Sequence, residues 1–122
     1  MSEKAFRCIP GPEGSTFSQC TIAGNYVFVA GQAPRDPATG RIPDGVEAQT
    51  EQILKNISDI LEQAGSSLQK VVKVSVFLSD IALYDGFSRA FSRYFAPPYP
   101  ARTTVGAQLA GFLVEIEAIA AL

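Results

Sequence analysis

The sequence predicts an α+β fold, a single domain over residues 1–122 in which one mixed β-sheet carries two helices on one face. Three observations lead there. A chain of 122 residues suits one domain, burying roughly two-thirds of the surface its unfolded form exposes. The hydrophobic period switches along the chain between strand-like alternation and helical spacing. The segments so defined run β-β-α-β-α-β-β, with helices after the second and third strands.

The first two strands lie in "FSQCTIAGNYVFVAGQAP", where "AGN" is a hairpin signal and Gly31 and Pro34 end the second strand. "DPATGR" is turn chemistry throughout. From Val46 to Ala64, Ile53, Leu54, Ile57, Ile60 and Leu61 share one helical face while Glu51, Lys55, Asn56 and Asp59 occupy others. Gly65 ends this helix at the C′ position. "VVKVSVFLSD" is the third strand, with Val72, Val74, Val76 and Leu78 on one face and Val71, Lys73, Ser75 and Phe77 on the other. Ser79 or Asp80 caps a second helix that runs to about Phe95 and stops at "APPYP". Its Leu83, Phe87, Phe91 and Tyr94 or Phe95 recur at helical spacing and are read as core rather than as a cofactor site. The last two strands, about Ala101 to Gln108 and Phe112 to Ala120, are joined by the short "LAG" turn.

Composition narrows the function. Hydrophobic residues make up 47% and charged residues 18%; the charged share is somewhat low, as in a surface partly covered by partner subunits. A net charge of −2, a pI near 5.0 and the lack of any Lys/Arg run argue against nucleic acid as a partner. The N-terminal stretch lacks a signal-peptide apolar core, and no apolar run is long enough to span a bilayer, so no membrane partner is expected and the cytosol is the expected compartment. Cys8 and Cys20 are spaced like neither a redox pair nor a zinc site and are read as free thiols. The chain has no histidine, which removes the commonest general base and the commonest metal ligand together.

In the last strand Phe112, Val114, Ile116 and Ala118 point toward the helices, and Leu113, Glu115, Glu117 and Ile119 point away. Glu115 and Glu117 therefore share a face, about 7 Å apart by strand rise. Leu113 and Ile119 flank them, an apolar rim that points to a face buried against another subunit, where each charge needs a partner. Arg102, one strand earlier in the chain, is a candidate partner. The residues by themselves leave a structural ion pair and a functional site equally open.

The blocks "SQC…VFVAGQAPRDPATG", "VEAQTEQILKNISDILEQAGSSLQKVVKVSVFLSD", "YPARTTV" and "LVEIEAIA" together resemble, in order and over nearly the whole chain, the Rid family of reactive-intermediate deaminases of the YjgF type. The resemblance implies a chorismate-mutase-like fold and a homotrimer with its ligand sites in clefts between subunits. It also implies hydrolysis of small imino and enamine acids to 2-oxo acids and ammonia, with no metal and no organic cofactor. By the same resemblance, Arg102 of the "PAR" motif grips the substrate carboxylate, a role suited to its planar fork. Glu115, the first glutamate of "EIEAIA", holds and activates the attacking water, and the backbone N–H of Thr104 is a further carboxylate donor.

The departures from the family pattern are equally specific. Phe17 stands where well-known members carry tyrosine, Ala30 where they carry serine beside Gly31, and Thr104 where a cysteine is common. The loop before Leu113 is about two residues shorter than usual for the family. With Phe17, Ala30, Gly31, Tyr99 and Thr104 around the substrate, the pocket is more apolar than usual and suits different imines. A non-catalytic trimer that binds small carboxylates as a sensor is the main alternative, and an endoribonuclease activity is disfavoured by the acidic charge and the absence of histidine.

Overall fold

Alternating valine and isoleucine runs and one long amphipathic stretch build six strands and two α-helices in the computed structural model, which describes residues 4–122. The strands are β1 (Arg7–Pro10), β2 (Ser18–Ala23), β3 (Tyr26–Gln32), β4 (Val71–Leu78), β5 (Ala101–Gly106) and β6 (Val114–Ala121). The helices are α1 (Val46–Gln63) and α2 (Tyr84–Ser92), the latter entered through a 3-10 turn at Ile81–Leu83. All six strands form one sheet in the order β1-β2-β3-β6-β4-β5, antiparallel except for the β4–β5 pair.

The β2–β3 hairpin closes as its sequence predicts. Ala23 pairs with Tyr26 across a two-residue loop in which Gly24 takes a φ of 57°, a conformation glycine adopts without a Cβ penalty. In α1 the predicted stripe is the buried one, with Ile53, Leu54, Ile57, Ile60 and Leu61 all 4% exposed or less. Each such side chain contributes about 1.5–3 kcal/mol of transfer free energy. Helix α1 stops at Ala64, and Gly65 follows with a φ of 87°, the left-handed C′ conformation. The buried polar groups of α1 are satisfied locally. Thr50 donates to the Val46 carbonyl at 2.7 Å, and the Gln49 side chain donates to the Pro43 carbonyl while accepting from the Leu113 amide at 2.8 Å. Gln49 thereby ties two loops to the helix.

Helix α2 packs beside α1 and is fastened to it by charge. Arg93 meets Glu47 at 2.7 Å and Glu51 at 3.2 Å, and Arg89 reaches Glu47 at 3.4 Å. The hydrogen bond from Arg93, with both arginine charges nearby, holds the Glu47 carboxyl below its usual range. Below the helices the inward rows of β2, β3, β4 and β6 complete the core, Val114, Ile116, Ala118 and Ala120 of β6 included.

Four expectations are corrected. The first concerns the short turn between β5 and β6: it does not close a hairpin, and the two strands do not pair. Strand β4 lies between the two, parallel to β5 and antiparallel to β6. The second concerns Val72, which is 45% exposed while Val71 is buried, because the β4–β6 register shifts between Val71 and Lys73 and the irregularity turns Val71 inward. The third is the length of α2, which ends at Ser92 rather than near Phe95; Tyr94 and Phe95 pack against the core from outside the helix. Its start is also later, since Ile81–Leu83 is a 3-10 turn that Asp80 caps by accepting from the Ala82 amide, and Leu83 is only half-buried. The fourth is β1, a strand absent from the predicted order: at four residues, ending in proline on the sheet edge, it carries almost no periodic signal.

Among the described residues no helix covers the second face of the sheet. Tyr26, Phe28 and Val105 are 47%, 42% and 43% exposed there, beside the half-buried Phe77 and Ile119. Among the described residues no helix is long and apolar enough to cross a membrane.

Candidate functional site

Strand β5 alternates between the two faces of the sheet, and its register decides where Arg102 goes. Arg102 lies beside Val74 and Thr104 beside Val76, both of which point inward, so Arg102 and Thr104 stand on the helix-bearing face. Because β5 is the sheet edge, Arg102 meets the flank of α2 rather than the closed core. There its guanidinium lies over three aromatic rings, with its central carbon 4.9 Å from the Phe91 centroid, 5.1 Å from Phe87 and 5.5 Å from Tyr84. Such closeness attracts the cation to the negative ring faces without neutralising it. Its Nη2 also donates to the Tyr84 hydroxyl at 2.7 Å.

This arrangement floors a cleft of about 580 Å³. Tyr84, Ser88, Phe91 and Ser92 line it from α2; Tyr99, Pro100, Arg102 and Thr104 line it from β5 and its approach. Arg102 is the one charged side chain among these residues, and none of the carboxylates among the described residues lines the cleft with it. Among the described residues the ion pairs engage Arg89 and Arg93, not Arg102. An unneutralised guanidinium in a cleft of hydroxyls and rings can receive a small anion, and its fork suits a carboxylate. Residues of the α2 flank were missed as site residues because their spacing reads as helix core. Phe87 and Phe91 are indeed buried, and they serve the cleft with the same rings.

Glu115 is elsewhere. It aligns with Phe77, on the face without helices, three positions along β4 from the Arg102 row. With β4 between the two strands, Arg102 and Glu115 of one chain lie on opposite faces of the sheet, and the in-chain pairing that their closeness in sequence invites does not form. Glu115 instead lies against Gly31: a Cβ placed on Gly31 would stand 2.6 Å from Glu115 Oε2 and 3.2 Å from its carboxyl carbon. This approach comes at an irregularity of the β3–β6 ladder. Val29 pairs with Ala118 and Gln32 with Ile116, so Ala30 and Gly31 together face Glu117 alone. Phe17, just before β2 and 57% exposed, stands at the same end of the sheet as Gly31, since β2 runs antiparallel to β3.

The predicted site residues thus fall into separate groups. Tyr99, Arg102 and Thr104 share the α2 cleft; Gly31 and Glu115 meet on the opposite face with Ala30 beside them, while Phe17 lies off the strands with the residues that follow β1. No cluster of three or more Cys, Asp or Glu side chains that could hold a metal ion occurs among the described residues. Cys8 is exposed and Cys20 buried, both free, and burial pushes the Cys20 thiol up from its ordinary range.

Comparison with known proteins gives a consistent picture. The family model described as Endoribonuclease L-PSP matches residues 10–122. A RutC family protein of Pyrococcus abyssi is 44% identical over 123 residues, covering 98% of this chain and 93% of its own. The chloroplastic Reactive Intermediate Deaminase A of Arabidopsis thaliana is 39% identical over 109 residues, covering 87% of this chain and 58% of its own. The crystal structure of E. coli TdcF with bound serine superposes with a TM-score of 0.84 at 32% identity, covering 98% of this chain and 99% of that one.

Proposed function

Since the chain belongs to the Endoribonuclease L-PSP family, also called the YjgF/RutC/Rid family, we propose that it hydrolyses reactive 2-imino and enamine acids at a site shared between protomers of a homotrimer. An enamine acid first takes a proton at its β-carbon to become the imine; water then adds to the C=N carbon, a proton passes to the nitrogen, the C–N bond breaks, and the products are a 2-oxo acid and ammonia. The observation that carries this reading is Arg102, a cation without a carboxylate partner among the described residues, held within 5.5 Å of three ring centroids in an open cleft. Its fork receives the substrate carboxylate, and the Thr104 amide adds a donor on the same strand.

Glu115 fits this chemistry only across an interface. On one chain it faces away from Arg102, so a water held by Glu115 meets a substrate held by Arg102 when the helix-free face of one protomer adjoins the cleft of the next. The exposed Tyr26, Phe28 and Val105 on that face support such an assembly. Serine bound to TdcF, an amino acid with the carboxylate and α-nitrogen of a small imino acid, supports the substrate class. Imines hydrolyse unaided in water, so positioning alone accomplishes much; each tenfold acceleration needs about 1.4 kcal/mol. Phe17 and Ala30 supply no hydroxyl to this site, which favours apolar imine side chains.

The same two residues are what a non-catalytic carboxylate sensor would tolerate, and turnover separates the readings. Ribonuclease action is disfavoured because the cleft offers a phosphodiester chain one arginine, and Arg89 and Arg93 nearby are committed to Glu47 and Glu51. The test generates 2-iminopropionate, 2-iminobutyrate and branched or aromatic imines with an amino acid oxidase and follows 2-oxo acid release. Wild type accelerates release, Arg102→Ala abolishes both release and pyruvate binding in a folded protein, and Arg102→Lys restores little. No acceleration with any imine, alongside measurable pyruvate binding, would establish the sensor instead.

A further inference from the structure

We propose that Tyr84 is a positioning residue that sets the anion affinity of the cleft through Arg102; the proposal rests on the reading that Arg102 receives the substrate carboxylate. The three rings around the guanidinium attract it, but Phe87 is tilted 64° to Tyr84 and 47° to Phe91, so no common stacking plane sets the direction of its fork. Direction comes from a hydrogen bond. Among the described residues, the Arg102 head group makes one to a side chain, from Nη2 to the Tyr84 hydroxyl at 2.7 Å. That contact fixes one edge of the fork and leaves its remaining N–H groups for a ligand.

Tyr84 is itself held. It opens α2, directly after the 3-10 turn that Asp80 caps, and its ring stands edge-on to the buried Phe87 with centroids 6.4 Å apart and planes at 64°. The tether is also neutral. A carboxylate at this position would hold Arg102 more strongly, but would cancel its charge and compete with the incoming anion for the same donors. A tyrosine hydroxyl orients the cation and leaves its charge intact. Geometry and charge together make Tyr84 the residue through which the first turn of α2 tunes carboxylate capture.

Pyruvate serves as the binding probe by calorimetry, alongside imine turnover and thermal denaturation of each variant. Tyr84→Phe removes the tether and keeps the ring: pyruvate Kd and substrate KM rise about tenfold, kcat falls less than twofold, and the melting temperature is kept. Tyr84→Glu replaces the neutral tether with a charged one and abolishes pyruvate binding in a folded protein. Wild-type pyruvate affinity in either variant would overturn the proposal, as would a loss in Tyr84→Phe confined to kcat. If wild type shows no Arg102-dependent pyruvate binding, the carboxylate site itself fails, an outcome separate from failure of Tyr84 alone.

Discussion

Replacing Gly31 with alanine tests the placement of Glu115 without touching the glutamate. The new Cβ would stand 2.6 Å from Glu115 Oε2, well inside ordinary van der Waals contact. Relief requires the carboxylate to move by roughly 0.5–1 Å, and a misplacement of that order costs up to about 100-fold in rate when a reacting group must be held in line. The backbone has no objection to alanine, since Gly31 is not among the residues of positive φ. Alanine in a strand gains roughly 0.5–1 kcal/mol over glycine, so the melting temperature should not fall. The assay is 2-oxo acid release from 2-iminobutyrate, comparing wild type, Gly31→Ala, Glu115→Gln and the double variant. Gly31→Ala should lose roughly 10- to 100-fold in kcat and lose almost nothing further in the Glu115→Gln background, because both changes act on one carboxylate. Full activity of Gly31→Ala beside an inactive Glu115→Gln would refute the close approach as the means of positioning. Equal losses in both backgrounds would show that Gly31 acts on substrate independently of Glu115.

Other expectations follow from the packing and charge of the same elements. Phe87→Ala removes a fully buried ring and should cost about 3–5 kcal/mol in chemical denaturation, and in whatever fraction stays folded pyruvate binding should weaken because Arg102 loses one of its rings. Glu47 has its carboxyl lowered by the hydrogen bond from Arg93, so its contribution is present above the unfolded carboxyl range and is lost as pH falls through the lowered folded value; Glu47→Gln should flatten the acid limb of a pH–melting curve. Light scattering at micromolar concentration should report three copies of the 13.0 kDa chain, and a monomer would remove the shared-cleft reading.

Local patterns told most of the architecture. The α1 stripe, the β2–β3 hairpin and the inward row of β6 could be read because each is a periodicity within one segment. The site was legible only as residue types. Arg102 and Glu115 are 13 positions apart, and their separation onto two faces depends on β4 entering between β5 and β6, a pairing with no local signature. The irregularities at Val71 and at Ala30–Gly31 shift which residues face inward, and neither leaves a mark on hydrophobic alternation. The spacing of Phe87 and Phe91 marks them as core, and both are buried. Their second duty under Arg102 became visible only once the edge position of β5 placed the arginine beside them.

The position of β6 also bears on how the chain comes together during synthesis. It is the latest strand in chain order, yet it lies between β3 and β4 and joins the N-terminal hairpin to the β4–β5 pair. Until β6 has left the ribosome, those two halves have no backbone ladder between them, and the hydrogen-bonding edges of β3 and β4 both stand open. A nascent chain in that condition carries two unfilled strand sites of its own sequence, and neighbouring chains on one polysome could fill them in place of its own β6. Pairing of a single segment, Val114–Ala121, joins the two half-sheets and fills the facing edges of β3 and β4 together, so the sheet is not continuous until this segment is in place.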